Sequence, residues 1–164
     1  MLGILLGMEY SLEFSERLIE AADAVFQGSP EKDEAARTVL YLSSLSCEIS
    51  LKALLEITGY SPKELRKYSH KLDELLNVVG SCTIEGTNQR AATIRSKIVV
   101  PNTANGTVGT LLNSSLSGGS VYPNGIRYGE VVKHFPPEAM LNCAKVVNDW
   151  CKEHKGRLVR EVNS

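Results

Sequence analysis

The chain has 164 residues, of which 43% are hydrophobic and 23% are charged, and its formal net charge is −1. This composition is typical of an ordinary folded protein, and the near-neutral charge does not by itself call for a nucleic acid or a membrane as partner. The length predicts one domain over residues 1–164, with its core at about 10–155. The apolar run at residues 2–8 is too short for a signal peptide or a membrane span.

Helical patterns dominate the first sixty residues. Residues 10–27 predict an amphipathic helix, and Ser29 and Pro30 suit the start of a second one. The second helix, predicted over residues 35–58, is so broadly apolar that we expect it to be the most buried element. Glu48 and Lys52 lie four positions apart on it, in the favourable order for an ion pair. Gly59 then reads as its C-terminal cap.

Shorter helices are predicted next. Residues 61–66 match a capping box with proline in the first turn. Ser69 reads as the N-cap of a further helix that Gly80 closes, and the apolar positions of that helix are Leu72, Leu75, Leu76 and Val79. Residues 87–99 predict another helix with three basic side chains facing outward, namely Arg90, Arg95 and Lys97.

The second half of the chain contains a long uncharged segment. Residues 98–126 are rich in Gly, Ser and Asn, which predicts a long loop with one helical turn near Thr110. Pro137 starts a final helix that Gly156 ends. The tail from Arg157 is expected to be frayed or to make lattice or partner contacts.

Cysteine spacing and motif searches indicate no metal site and no cofactor. The four cysteines lack the paired spacing of metal ligands, which favours a reducing, cytoplasmic setting. No phosphate-binding glycine motif of the Walker type and no catalytic triad are present. Cys47 and Cys143 lie on apolar helix faces and are expected to be small core residues.

Three segments together resemble the HEPN family (higher eukaryotes and prokaryotes nucleotide-binding domain). Residues 45–55 are similar to its central helix, and residues 69–76 to the start of its next helix, His-x-Leu-x-x-Leu-Leu. Gly125-Ile-Arg-Tyr is similar to the Arg-Tyr pair before the last helix of some branches. The resemblance implies an all-α fold, an antiparallel bundle of four or five helices with the long loop before its last helix, and often a symmetric dimer.

The resemblance also implies a choice between functions, because the family includes metal-independent RNases, nucleotide-binding modules and non-catalytic partners. Its RNases carry Arg and His separated by four to six residues, and Arg127 and His134 are separated by six. Histidine can transfer protons and arginine can neutralise phosphoryl charge, so the pair suits RNA cleavage. However, Tyr128-Gly129 after the arginine and Phe135-Pro-Pro after the histidine argue against a shared helix face.

The other candidate contacts are basic or aromatic. A rim that binds nucleotide or RNA is predicted from Arg90, Arg95, Lys97, Arg127, Tyr128 and His70. The plain alternative is that the basic residues form an ordinary solvent-exposed helix face. In that case His70 orients the start of its own helix or bonds a neighbouring backbone carbonyl. The sequence therefore favours a HEPN-like binding or partner module without catalysis, acting as a homodimer or with a separately encoded protein. An RNase of toxin or defence type and a purely structural helical protein are the alternatives.

Overall fold

The computed structural model describes residues 8–28, 33–103, 106–113, 122–127 and 136–161, and the protein is mostly helical there. The described residues contain four helices of ten or more residues and four shorter ones. The described residues also contain two strands of two residues each. In chain order the elements are α1 (Leu12–Gly28), α2 (Asp33–Thr58), α3 (Pro62–Arg66), α4 (Leu72–Ser81), β1 (Thr83–Ile84), α5 (Thr93–Ser96), α6 (Val108–Leu111), α7 (Asn124–Arg127), α8 (Pro137–His154) and β2 (Leu158–Val159).

Helix α2 is the centre of the core, as its broad apolar pattern predicts, and α1 and α8 pack against it. Cys47, Leu51, Leu54 and Leu55 are fully buried. Each large apolar side chain removed from water contributes roughly 1.5–3 kcal/mol, which is why packing rather than local propensity stabilises this helix. All four cysteines are free and buried, so the prediction of small core cysteines is confirmed for Cys47 and Cys143.

Small polar side chains lie where α1, α2 and α8 come together. The hydroxyl of Ser46 donates to the carbonyl oxygen of Ser15 at 3.0 Å, and that of Ser15 donates to the carbonyl oxygen of Ser46 at 3.0 Å. Nδ2 of Asn148 donates to the carbonyl oxygen of Leu12 at 3.2 Å. These bonds satisfy polar groups in the interior, where an unpaired group costs free energy, and the small serines allow the helix backbones to approach closely.

The turn after α2 forms as its sequence predicts. Gly59 adopts a φ of 117°, a left-handed conformation that glycine tolerates at a helix end. The Ser61 side chain caps α3 by accepting from the backbone N–H of Glu64 at 3.1 Å. The prediction for Ser69 is wrong. Its φ is 50°, outside the extended conformation of an N-cap, and α4 begins at Leu72 with Lys71 in the cap position.

The helix predicted over residues 87–99 is mostly wrong. Only Thr93–Ser96 is helical, and Ala92 just before it is exposed. The preceding residues form a β-turn instead, in which the backbone N–H of Thr87 donates to the carbonyl oxygen of Ile84 at 3.0 Å. The backbone N–H of Ile84 in turn donates to the carbonyl oxygen of Gln89 at 2.9 Å. Gly86 supplies the positive φ of 79° that this turn requires. Two adjacent β-branched residues, Thr83 and Ile84, favour the strand.

Residues 157–161 of the tail pack on the fold, contrary to the expected fraying. β2 pairs antiparallel with β1, with Thr83 opposite Val159 and Ile84 opposite Leu158. Leu158 is buried, and the guanidinium of Arg160 lies 4.0 Å from the centre of the Tyr60 ring. The tail therefore links the hairpin to the end of α2.

The long segment before the last helix contains more regular structure than its composition predicts. The helical turn expected near Thr110 is confirmed as α6, which the Thr107 side chain caps, and α7 forms at its end. Leu111, Leu112 and Val100 contribute to the core. Residues 104–105 and 114–121, where the rest of the predicted loop falls, lie outside the described part of the chain.

Helix α2 also meets the length and hydropathy criterion for a membrane span over Glu34–Thr58. The most apolar 18-residue stretch of this helix is 72% buried inside the fold. The central helix of a folded domain passes the same test, so this property carries little weight.

Candidate functional site

A row of polar side chains follows one side of the otherwise apolar helix α2. Arg37, Tyr41, Glu48 and Lys52 are separated by four, seven and four positions, which places them on one stripe of an α-helix. Each of the four has a polar or aromatic partner from another part of the chain or from its own helix. Together these partners form the candidate site.

Glu48 and Lys52 form an ion pair in the interior. Nζ of Lys52 lies 3.0 Å from Oε2 of Glu48, and each side chain is only 5% exposed. Removing two charges from water is costly, so such a pair persists only when further hydrogen bonds satisfy its atoms. The second carboxylate oxygen of Glu48 has two such partners.

Those partners are His70 and Tyr122. Nδ1 of His70 lies 2.7 Å from Oε1 of Glu48, and the hydroxyl of Tyr122 donates to the same oxygen at 2.6 Å. The two rings meet edge to face, with their centroids 5.9 Å apart. Burial, together with the Glu48 carboxylate, raises the pKa of the Tyr122 phenol, so that tyrosine stays a neutral donor.

Tyr41 extends the cluster to the surface and to Arg127. Its ring centroid lies 5.9 Å from that of Tyr122. Nη2 and Nε of Arg127 donate to the Tyr41 hydroxyl at 2.8 and 3.2 Å, and the guanidinium carbon lies 5.5 Å from the ring centre. Arg127 is exposed, whereas Tyr41 is half-buried. We call Glu48, His70, Tyr122, Tyr41 and Arg127 the tyrosine site.

Arg37 fixes the short helix that carries Arg127. Its Nε donates to the carbonyl oxygen of Ile126 at 2.5 Å, and its Nη2 donates to the carbonyl oxygen of Arg127. The last carbonyls of a helix have no partners within the helix, and a cation there also suits the helix dipole. The stripe on α2 therefore positions both ends of the tyrosine site.

Of the predicted site residues, the structure brings together Arg127 and His70. They approach the same pair of tyrosine rings, one through Tyr41 and the other through Tyr122. Tyr128 and His134 lie outside the described residues, so the Arg127–His134 pair stays a hypothesis.

The other basic residues of the predicted rim lie elsewhere in the fold. Arg90 pairs with Glu161 at 3.2 Å, and Arg95 donates to the side chain of Asn77 on α4. Lys97 is exposed just after α5. Within the described residues, no hydrogen bond or ion pair links these three to the tyrosine site. Their role in binding stays a prediction.

Sequence reasoning missed Tyr41, Tyr122 and the position of Glu48 at the centre of the site. A usable signal was present, because polar residues at positions 37, 41, 48 and 52 share one stripe of a helix whose other faces are apolar. Among the described residues, no three His, Cys, Asp or Glu side chains come close enough together to hold a metal ion.

Comparisons with protein-family models, with curated proteins and with solved structures found no match for this chain. The resemblance to the HEPN family therefore rests on the three sequence segments alone.

Proposed function

We propose that the protein is a HEPN-like module that binds a phosphate-bearing ligand, a nucleotide or a segment of RNA, at the tyrosine site, without catalysis of its own. The proposal includes a cytoplasmic setting, and a homodimer or a separately encoded partner as the acting assembly. Sedimentation at micromolar concentration would test the homodimer, since a monomer under those conditions contradicts it.

One observation carries the proposal. The three segments on which the family resemblance rests are far apart in the sequence, yet each contributes a residue to the tyrosine site. Glu48 comes from residues 45–55, His70 from residues 69–76 and Arg127 from residues 125–128. Segments that only build a helical bundle need not converge on one polar cluster, whereas a shared binding site requires it.

The chemistry of the cluster suits a phosphate ester. Arg127 is exposed and permanently charged, and arginine is well suited to phosphate because its planar guanidinium donates several hydrogen bonds at once. The His70 side chain is 41% exposed and provides a second polar contact. The partly exposed Tyr41 ring beside Arg127 offers a surface on which a base can stack.

A second candidate function is RNA cleavage. The observation in its favour is that His70 is hydrogen-bonded to a buried carboxylate, the arrangement that orients a histidine for proton transfer. The Arg–His pair that the sequence offers for such an enzyme, Arg127 with His134, would share the arginine of the tyrosine site. A purely structural role is the third hypothesis, and it predicts no ligand at all.

Binding of a fluorescent RNA oligonucleotide and of labelled ATP, followed by fluorescence anisotropy, tests the proposal. We expect binding that Arg127→Ala weakens by at least roughly tenfold, because hydrogen bonds to charged groups contribute about 1.5–3 kcal/mol. Arg17→Ala, which removes an exposed arginine on α1, is the matched control and should bind as the unmodified protein does.

Two further variants separate the tyrosine site from the rim. Arg90→Ala and Arg95→Ala should leave the affinity within about twofold if the ligand lies at the tyrosine site, because the partners of these two arginines are Glu161 and Asn77, which do not belong to that site. Absence of any binding, or binding that Arg127→Ala does not change, would overturn the proposed function.

A further inference from the structure

The hydrogen bonds of Glu48 determine which nitrogen of His70 carries the proton. One carboxylate oxygen is paired with Lys52, and the other accepts from the Tyr122 hydroxyl. An ionised carboxylate only accepts hydrogen bonds, so Nδ1 of His70 must donate to it. In a neutral imidazole the other nitrogen is then an acceptor. Nε2 of a neutral His70 ring therefore presents a lone pair.

The position of the ring is fixed as well as its tautomer. Nδ1 is held at 2.7 Å from Glu48, and the Tyr122 ring meets the imidazole at an interplanar angle of 84°. The His70 side chain is 41% exposed, although its Nδ1 is bonded to a buried carboxylate. Within the described residues, Nε2 has no hydrogen bond.

The two ends of the tyrosine site, His70 and Arg127, thus suit different groups of a ligand. Arg127 only donates hydrogen bonds, so the ligand group that it can bind is an acceptor such as a phosphate oxygen. His70 in this tautomer accepts, so it requires a donor such as a hydroxyl. A deoxyribose-phosphate backbone provides acceptors at its phosphates but no hydroxyl along the strand, whereas ribose provides its 2′-hydroxyl.

Two tyrosine rings lie between the two ends of the site, an arrangement that suits a strand. Three successive contacts separate the two ends, namely His70 to Tyr122, Tyr122 to Tyr41, and Tyr41 to Arg127, with centres 5.9, 5.9 and 5.5 Å apart. A mononucleotide carries its hydroxyls only a few bonds from its phosphate. A strand can place a hydroxyl of one nucleotide and the phosphate of a neighbour on the two ends.

We propose an inference that rests on the proposed function: the ligand is single-stranded RNA. His70 distinguishes it from DNA by accepting a hydrogen bond from a ribose 2′-hydroxyl at Nε2. His70 is a specificity-determining residue in this account. Because the ring is partly exposed, water replaces the hydroxyl when DNA binds, so the preference is modest, about five- to tenfold in affinity.

The test compares RNA and DNA oligonucleotides of one sequence and about ten nucleotides, together with a 2′-O-methyl RNA, by anisotropy at about pH 8, where histidine is normally neutral. We expect the unmodified protein to bind RNA about five- to tenfold more tightly than the other two. The 2′-O-methyl group keeps the oxygen but removes the donor hydrogen, so it should behave like DNA.

Two histidine variants complete the test. His70→Ala should abolish the preference, so that RNA and DNA bind this variant with equal affinity. His154→Ala is the matched control, because His154 bonds the carbonyl oxygen of Trp150 through Nδ1 and lies outside the tyrosine site. It should keep the full preference for RNA.

The outcomes separate this inference from the proposed function. Equal binding of RNA and DNA by the unmodified protein, with binding still lost in Arg127→Ala, would overturn the inference alone. A preference for RNA that survives in a folded His70→Ala variant would also overturn it. If no oligonucleotide binds, the inference is overturned. If ATP does not bind either, the proposed function is overturned too.

Discussion

His70 and Glu48 are hydrogen-bonded at 2.7 Å, although a helix end and the whole of α3 separate them in the sequence. The bond joins the buried face of α2 to the segment that leads into α4. Through Glu48 it also connects His70 to Lys52 on one side and to Tyr122 on the other. A single buried carboxylate thus positions His70, which forms one end of the tyrosine site.

Removing that carboxylate should be strongly destabilising. In Glu48→Ala the Lys52 ammonium loses its partner inside the protein, and breaking a buried pair in this way costs about 3–5 kcal/mol of unfolding free energy. Urea denaturation measures the change. Glu20→Ala is the control, since Glu20 pairs with Arg17 where both side chains are 55% exposed, and it should cost at most about 1 kcal/mol.

The double variant Glu48→Leu/Lys52→Met checks the physical reason. With no charge left unpaired, it should be more stable than Glu48→Ala. A loss below about 1 kcal/mol in Glu48→Ala would mean that the pair is not buried as described.

Alkaline conditions should destabilise the protein through two tyrosines. Burial raises the pKa of Tyr60 to about 12, and burial with the Glu48 carboxylate raises the pKa of Tyr122. A phenol whose pKa is higher in the folded than in the unfolded state stabilises the fold fully below the unfolded value of about 10. That contribution is lost as the pH rises above it.

The measurement is the unfolding free energy and the tyrosinate absorbance between about pH 9 and 12. Stability should fall above about pH 10, and the tyrosinate signal of Tyr122, obtained by difference from Tyr122→Phe, should appear only with unfolding. Ionisation of Tyr122 in the folded protein near pH 10 would contradict its burial against Glu48.

The ordered tail should contribute to stability through Leu158. Leu158→Ala should cost roughly 2–3 kcal/mol, because it removes a buried side chain beneath the β1–β2 pair. Val159 is 47% exposed, so Val159→Ala is the matched control and should change little. Thermal or urea unfolding distinguishes the two. Equal, negligible effects would mean that the tail does not pack on the fold in solution.

We expect little or no metal-independent RNA cleavage by the purified protein. The assay uses single-stranded and structured RNA in the presence of EDTA, beside Arg127→Ala, His134→Ala and His70→Ala. Cleavage abolished by Arg127→Ala and His134→Ala, typically with a loss of roughly 10²–10⁴-fold for a proton-transfer residue, would establish the RNase function instead. Cleavage abolished by His70→Ala would move the catalytic role to the tyrosine site.

The parts of the fold that follow from local sequence were predictable. Apolar periodicity located α2, and the Glu48–Lys52 spacing correctly predicted their ion pair. Ser61 and Gly59 have the cap roles that their residue types indicate. In each case the controlling contacts lie within a few positions of the residue.

Most of the errors arose where the structure depends on contacts between segments that are distant in the sequence. The carboxylate of Glu48 meets Tyr122 across 74 positions, which no local pattern reveals. The strand at Leu158 depends on a partner near Thr83, so its two residues read alone as a frayed tail. Ser69 has the side chain of an N-cap, but its left-handed backbone places the cap at Lys71.

The most direct test of the central claim, that His70 contacts a ligand at the tyrosine site, is nuclear magnetic resonance of protein labelled with ¹⁵N in its histidine rings. The chain has three histidines, so the spectrum can be assigned with His70→Gln and His154→Gln variants. On titration with RNA, the Nε2 signal of His70 should shift in a saturable manner while the signals of His154 stay in place. The account would be contradicted if the ring signals of His70 stay in place while RNA binds, or if only the signals of His134 shift.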